Sequence, residues 1–295
     1  NLLVVGPAGA GKTMLARRMP TIMPGMDVEE SIEISKIYSV SGLLTEKEPL
    51  VKIRPFRAPH HTVSVQALTG GGRRPKPGEI SLATGGILFL DELPEFSRAA
   101  LETLRQPLED REVTVSRVEA TVTYPANFQL VAAMNPCPCG HFPDLARCRC
   151  TEGQITRYLQ KISGPLLDRI DLCVEASPVT YGDVRGGGEN EASGAIRARV
   201  EQAREIQKER FMEENIRCNG EMAGRHIRKY CVLGKEEETF MEEIFEKLAL
   251  SARMHDRILK VARTTADLAG ESKIRLSDLC EAVSYVKSRE KFWGN

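Results

Sequence analysis

Leu2-Leu3-Val4-Val5 runs without a break into Gly6-Pro7-Ala8-Gly9-Ala10-Gly11-Lys12-Thr13, and this stretch decides the fold. Four consecutive apolar residues with no polar alternation describe a strand buried on both faces, which is the habit of parallel sheets. The next eight residues fit the Walker A pattern G-x-x-x-x-G-K-[ST], and Met14 to Met19 behind them read as a helix. Glycines let backbone N–H groups wrap around phosphate oxygens, and the helix start adds donors aimed at the same charge. Gly6, Pro7, Ala8, Gly9, Ala10 and Gly11 are therefore expected to cradle the phosphates of ATP, with Lys12 reaching the β- and γ-phosphates and Thr13 ligating Mg²⁺. The competing reading is a Gly-rich turn that happens to end in Lys-Thr, and it explains neither the buried strand before the turn nor the helix after it.

Apolar runs recur at Gly86 to Leu90, Phe128 to Ala133 and Ile170 to Val174, separated by segments long enough for helices. Strands alternating with helices predict an αβα core with a parallel sheet over residues 1–177. Ile87-Leu88-Phe89-Leu90 is too apolar for a surface and ends in Asp91-Glu92. Asp91 is placed to hold Mg²⁺ through water, and Glu92 to orient and polarise the water that attacks the γ-phosphate in line. An acidic pair at a strand end is by itself often only solvated. The phosphate cradle upstream supplies this pair with a partner.

After Glu175 the character changes. Residues 178–192 include Pro178, Gly182, Gly186, Gly187, Gly188, Glu189, Asn190 and Glu191, bury little and predict a linker. Beyond it Ile196, Val200, Ala203 and Ile206 recur at helical spacing. Further helices are expected from Glu236 to Leu248, from Ala252 to Leu268 with Gly270 as the stop, and from Ser277 through Val286. Residues 193–290 thus read as an all-helical second domain.

The chain of 295 residues is 41% hydrophobic, enough to bury real cores, which excludes a disordered protein. No run approaches the roughly 20 apolar residues of a membrane span and no signal peptide opens the chain, so a cytoplasmic protein without a membrane partner is expected. A central strand at residue 1 leads us to expect a piece of a longer protein. With 41 Lys+Arg against 41 Asp+Glu, attraction to a polyanion must come from a local patch. Residues 51–80 supply one: Lys52, Arg54, Arg57, Arg73, Arg74 and Lys76, with His60 and His61, oppose only Glu79. Such a segment reads as polyanion-binding, with a solvated basic loop or a subunit contact as the alternatives. From Arg111 to Tyr124, Val113, Val115, Val118 and Val122 mark one face and Thr114, Ser116, Thr121 and Thr123 the other, which predicts a β-hairpin.

Four of the eight cysteines crowd into Cys137-Pro138-Cys139-Gly140 and Cys148-Arg149-Cys150. Zn²⁺ takes four thiolates in a tetrahedron, and Pro and Gly favour the tight turn that turns a C-x-C pair toward one point. His141 is a substitute donor, and reduced thiols or a disulfide are the other readings, the last disfavoured in a reducing compartment. A metal knot here stands two residues beyond Asn135. Cys173, Cys218, Cys231 and Cys280 are scattered and read as small buried apolar residues.

Walker A, Asp91-Glu92, a strand ending at Asn135, the segment Gly164-Pro165-Leu166-Leu167-Asp168-Arg169-Ile170-Asp171 and the helical C-terminal part together resemble an AAA+ ATPase. More narrowly, Arg57-Ala58-Pro59-His60-His61-Thr62, Pro77-Gly78-Glu79-Ile80-Ser81-Leu82-Ala83, Asp91-Glu92-Leu93-Pro94-Glu95-Phe96 and Asn135-Pro136-Cys137-Pro138-Cys139-Gly140 resemble the magnesium-chelatase-like ATPases of the ComM/YifB type. The resemblance implies a P-loop core with a helical lid. It implies Asn135 as sensor 1, Arg169 as an arginine finger for a neighbouring subunit, with a local ion pair to the flanking Asp168 or Asp171 as the rival reading, and Arg253 as sensor 2, with Arg257 and Arg263 on the same helix as rivals. It further implies a Lon-protease-like domain upstream in family members, a homo-oligomeric ring, most simply a hexamer, and hairpins such as 111–124 entering its pore. The implied activity is that of a DNA helicase promoting branch migration in homologous recombination and natural transformation. The rivals are a motor that remodels a protein partner, as the chelatase subunit does, and a nucleotide-controlled switch.

Overall fold

The apolar runs of the first half become neighbouring strands. In chain order the strands are β1 (Leu2–Val5), β2 (Phe56–Arg57), β3 (Gly70–Gly71), β4 (Lys76–Pro77), β5 (Ile87–Leu90), β6 (Glu112–Ser116), β7 (Thr121–Pro125), β8 (Gln129–Met134) and β9 (Leu172–Glu175). They belong to a computed structural model that describes residues 1–117, 119–179, 181–185 and 191–294. Val118 of the expected hairpin and Gly186, Gly187, Gly188, Glu189 and Asn190 of the expected linker lie outside the described residues.

Five strands form a parallel sheet in the order β2-β5-β8-β1-β9. Leu3 lies between Ala132 and Cys173, and Phe89 beside Val131. Leu3, Val4 and Val5 are buried, which is why β1 reads as unbroken apolar sequence. Each such side chain contributes about 1.5–3 kcal/mol by leaving water, so a charge at Leu3 would break the sheet at its centre. Periodicity does not predict β2, because two residues are too few to show a pattern. It forms through close approach: Ile87 N donates to Pro55 O at 2.8 Å, and a Cβ on Gly86 would lie 2.0 Å from that same oxygen. Since the strands are parallel, the loops after β1, β2, β5 and β8 all open at one edge, where ligands of such sheets bind.

The basic segment and the expected hairpin are tied to each other. Strands β6 and β7 pair in an antiparallel hairpin, with Val113 and Val115 buried and Thr114 and Ser116 facing out to Thr123 and Thr121, hydroxyl to hydroxyl at 2.9 Å in each case. Strands β3 and β4 form a second small hairpin. The Tyr124 hydroxyl donates to Pro75 O at 2.8 Å and Arg73 pairs with Glu119 at 2.5 Å, so the basic turn and the longer hairpin hold each other.

The chain divides into two compact units, Asn1–Pro20 with Gly25–Glu189 and Thr21–Pro24 with Asn190–Asn295. The second unit carries the helices Ser193–Arg210, Gly224–Tyr230, Lys235–Lys247, Ala252–Leu268 and Leu276–Trp293. Ser251 opens the fourth of these, its side chain accepting from Met254 N at 3.3 Å. That helix turns Ile258, Leu259 and Ala262 into a core shared with Phe211, Leu279 and Val283. Of the scattered cysteines, Cys173 and Cys231 are buried, Cys218 is partly covered and Cys280 is exposed. The expectation of four core cysteines fails at Cys280, because Leu279, Ala282, Val283 and Val286 take the inward positions of the last helix and leave 280 outside. Among the described residues no helix is long and apolar enough to cross a membrane.

Candidate nucleotide site and cysteine knot

Gly6 N donates to Met134 O at 3.1 Å, which ties the start of the Gly-rich loop to the end of β8. The loop turns through Gly9 (φ 79°) and Gly11 (φ 76°), a left-handed conformation that favours glycine. Nothing lies within 4 Å of where a Gly9 Cβ would stand, so the demand at that position is conformational and the space beside it is open. The loop, Asp91, Glu92, Met134 and Asn135 line a cavity of about 410 Å³. Lys12 Nζ folds over the loop, donating to Gly6 O and Pro7 O at 2.7 Å each and to Asn135 Oδ1 at 3.2 Å. Burial lowers its pKa from the ordinary lysine value, and the Asp91 charge opposes that shift. Thr13 Oγ1 donates to Asp91 Oδ2 at 2.6 Å. Glu92 adopts φ 52°, ψ 48°, rare for a residue with a Cβ, and His61 Nδ1 lies 3.3 Å from its Oε2. A glycine cradle, a cation and a hydroxyl–carboxylate pair at one cavity fit a phosphate chain with its magnesium ion.

Arg169 does not line this cavity; its guanidinium donates to Arg105 O at 3.0 Å and Pro165 O at 2.7 Å and pairs with Glu109. Arg253 lies in the second unit, exposed in the first turn of Ala252–Leu268, and makes no ion pair among the described residues. Its rival Arg263 is 2% exposed and donates to Asp267 Oδ1 at 3.1 Å and Ser272 O at 2.9 Å, which commits it to the interior of that unit. Arg257 points Nη1 at Met254 Sδ, 3.9 Å away.

The four clustered cysteines come together. Their sulfurs all lie within 4.8 Å of one another, with Cys137 at 3.4 Å from Cys139 and 3.8 Å from Cys148, and Cys139 at 3.6 Å from Cys148. Zinc–sulfur bonds of about 2.3 Å in a tetrahedron set sulfurs roughly 3.8 Å apart. A disulfide needs about 2.05 Å, and all eight cysteines are free. His141 is not among the clustered donors. Backbone N–H groups of Arg149 and His141 pull the Cys139 thiol down to about 6, whereas burial pushes Cys150 up to about 12. The knot joins two elements of the site: Cys137 follows Asn135 by two residues, and Cys150 precedes Thr151, which caps Glu152–Leu159 in a capping box with Gln154. A cavity of about 750 Å³ on this side shares Glu92 and Asn135 with the cradle and is lined also by Cys139, Arg149, Arg157 and Tyr158.

Sequence reasoning counted His61 in the basic segment and in a family motif without giving it a role at the site, and did not single out Tyr158. The signal for His61 is strand order, since β2 and β5 are parallel neighbours and their following residues leave the same edge. The basic segment is also narrower than its composition. Arg54 donates to Gly85 O at 2.7 Å and pairs with Glu30 at 2.9 Å, and Arg57 pairs in bidentate fashion with Glu79 at 2.7 Å. Lys52, Arg73, Arg74 and Lys76 stay exposed, and Arg117 of the hairpin joins them.

The sequence matches the family described as magnesium chelatase, subunit ChlI, over residues 1–184, and the C-terminal part of that subunit over residues 190–286. It is 48% identical over 289 residues to the competence protein ComM of Haemophilus influenzae and 46% identical over 286 residues to the protein YifB of Salmonella typhimurium. Each of these alignments covers 97% of this chain and 55% of the relative, so the chain spans about half the length of the curated relatives it matches. A magnesium-chelatase 38 kDa subunit of Chlorobaculum parvum is 27% identical over 158 residues, 46% of either chain.

Proposed function

Since the chain belongs to the magnesium chelatase subunit ChlI family, with its AAA+ parallel-sheet core and helical C-terminal part, we propose that it is an ATP-hydrolysing motor acting on DNA. In this reading the chain assembles with itself into a hexameric ring in the cytoplasm and works as a helicase that promotes branch migration in recombination and natural transformation. The observation that carries the ATPase reading is the convergence of Lys12, Thr13, Asp91, Glu92 and Asn135 on one cavity at the ends of β1, β5 and β8. The name of the ComM relative and the basic residues Arg73, Arg74, Lys76 and Arg117 on the joined hairpins support the DNA reading.

MgATP, when bound, supplies the phosphoanhydride to be cleaved and a metal that neutralises its charge. Lys12 exchanges the Gly6 and Pro7 carbonyls for phosphate oxygens, a better-matched partner for its charge. Thr13 and Asp91 face the metal together, Glu92 orients the attacking water, and Asn135 holds that water against the γ-phosphate. Residues 1–177 act as the core, 178–192 as the linker and 193–290 as the lid that brings Arg253 to the nucleotide as sensor 2. Arg169 acts in trans as the finger and must first leave Glu109. Cys137, Cys139, Cys148 and Cys150 hold a structural Zn²⁺.

The test is ATP turnover with and without forked DNA. Stimulation by DNA that fades with added salt supports the DNA motor. Turnover indifferent to DNA and dependent on added protein subunits supports the alternative favoured by the chelatase-subunit similarity, a motor that remodels a protein partner.

A further inference from the structure

The cavity of about 750 Å³ adjoins the phosphate cradle, since Glu92 and Asn135 belong to the walls of both. In the reading above these two residues stand at the γ-phosphate end of the nucleotide. The rest of the wall is basic. Arg157 lies on the helix Glu152–Leu159, which is held by its capping box at one end and by the buried Tyr158 and Leu159 at the other. Lys161 follows one turn later, with Nζ 5.6 Å above the Tyr158 ring. Arg149 reaches the same cavity from the thiol knot, where Cys148 and Cys150 flank it. Two rigid elements thus present three cations to one space. The two acids of the cavity do not cancel them. Glu95 is taken by Lys161, whose Nζ lies 3.4 Å from both carboxylate oxygens, and Glu92 has His61 Nδ1 at 3.3 Å. Arg149 and Arg157 are exposed, and among the described residues neither guanidinium is ion-paired or hydrogen-bonded.

Resting on the hydrolysis reading, we infer that this cavity receives the inorganic phosphate released from ATP, with Arg149 and Arg157 as its binding residues. Cleavage leaves the phosphate between ADP and the wall formed by Glu92 and Asn135. ADP fills the cradle behind it, so the open space is the neighbouring cavity that shares this wall. Guanidinium suits the task because its planar fork of N–H donors matches the spacing of phosphate oxygens. A cation beyond the wall also offsets part of what the anion gives up on leaving Lys12. The site serves product release and not nucleotide capture, since the Gly-rich loop and Lys12 are built without it. Two other uses of free guanidinium groups are distinguishable. They could balance the negative charge of four thiolates in the knot, or meet acidic side chains of a second copy of the chain.

The test uses the full chain with Arg149→Gln, Arg157→Gln and Arg157→Lys. Affinity for inorganic phosphate in the presence of MgADP, measured by titration calorimetry, is expected to weaken roughly 10- to 10²-fold in each Gln variant, the worth of one hydrogen bond to a charged group. The Lys variant should recover part of it by keeping the charge. In a single turnover, cleavage of ATP is expected at the wild-type rate in the Gln variants, whereas phosphate release, followed with a fluorescent phosphate-binding protein, should slow roughly 10-fold. Phosphate affinity equal to wild type in both Gln variants overturns the site, as does a cleavage rate that falls in step with release. Zinc lost from a Gln variant would assign the guanidinium to the knot and overturn it too. So would loss of self-assembly in native mass spectrometry with phosphate affinity retained, which assigns the arginines to a second copy. The affinity measurement needs no turnover, so the two readings fail separately. A wild-type chain that does not cleave ATP brings down the hydrolysis reading, and unchanged phosphate affinity in variants of a chain that does cleave ATP brings down the phosphate site alone.

Discussion

Thr13 and Asp91, 78 residues apart in the chain, share a hydrogen bond of 2.6 Å from hydroxyl to carboxylate. The end of the Gly-rich loop and the end of β5 are thereby joined directly, and Lys12 is likewise tied to Asn135 at the end of β8. A site assembled this way separates binding from chemistry. Lys12→Ala is expected to abolish nucleotide binding, whereas Glu92→Gln should bind normally and turn over some 10²- to 10⁴-fold more slowly. Equilibrium binding of a fluorescent ATP analogue, set beside phosphate release, checks both; normal turnover in either variant breaks the assignment.

Arg169 is held by Glu109 and by two backbone carbonyls of its own unit. As a finger acting in trans it is expected to be worth about 10³- to 10⁵-fold in rate. Arg169→Ala should therefore lose turnover to that degree, while Glu109→Ala, which frees the guanidinium, should not. Mixing inactive Arg169→Ala and Lys12→Ala chains should restore part of the activity, once native mass spectrometry shows mixed rings. Mixed rings that stay silent count against the trans role.

The thiol knot is expected to hold one Zn²⁺ per chain in protein purified without added metal, measured by elemental analysis. Loaded thiolates are shielded from alkylation, so four cysteines should become reactive on chelation, with Cys280 reactive throughout because it is exposed. Absence of stoichiometric metal from fully active protein would sink the zinc assignment.

Asp267 has no exposed side-chain surface and receives Arg210 at 2.5 and 2.7 Å, Arg263 at 3.1 Å and Asn219 at 2.7 Å. Removing it leaves Arg263 and Arg210 without their shared counter-charge inside the helical unit. Asp267→Ala should cost about 3–5 kcal/mol, read as a lower urea midpoint for the far-UV signal. A midpoint equal to wild type would show the network to be dispensable.

If the joined hairpins meet DNA, Arg73→Ala and Arg74→Ala should each weaken binding and reduce the slope of log K against log salt by about 1. Arg57→Ala should behave differently, because its partner Glu79 is left half-buried without a counter-charge. The expected result is a lower melting temperature with the salt slope retained, measured by fluorescence anisotropy beside thermal unfolding.

Much of this was legible in the chain. Strands β1, β5, β8 and β9, the hairpin of β6 and β7 and the helix Ala252–Leu268 follow from patterns several residues long, and the Gly-rich loop and Asp91-Glu92 follow from motifs whose chemistry allows few substitutes. Such signals survive in sequence because each depends on the residues beside it. β2 was not legible, being two residues long and made by the approach of Pro55 to Gly86. Composition also misled over residues 51–80, where charge counts alike whether a guanidinium meets solvent or is committed to Glu30 or Glu79.

By itself the sequence determined what the chain is built to hold: a buried strand run into a phosphate loop, an acidic pair on a second strand, and four thiols in two close pairs. Only the tertiary structure decided which of these meet. Strand order put His61 beside Glu92, helix packing drew Arg263 inside while leaving Arg253 in solvent, and Glu109 took up Arg169. The physical reason is range. Hydrophobic periodicity and turn chemistry act between near neighbours and leave their mark in local sequence. A side chain's partner across the fold depends on which strands pair and which faces are covered, and that is settled only when the whole core closes.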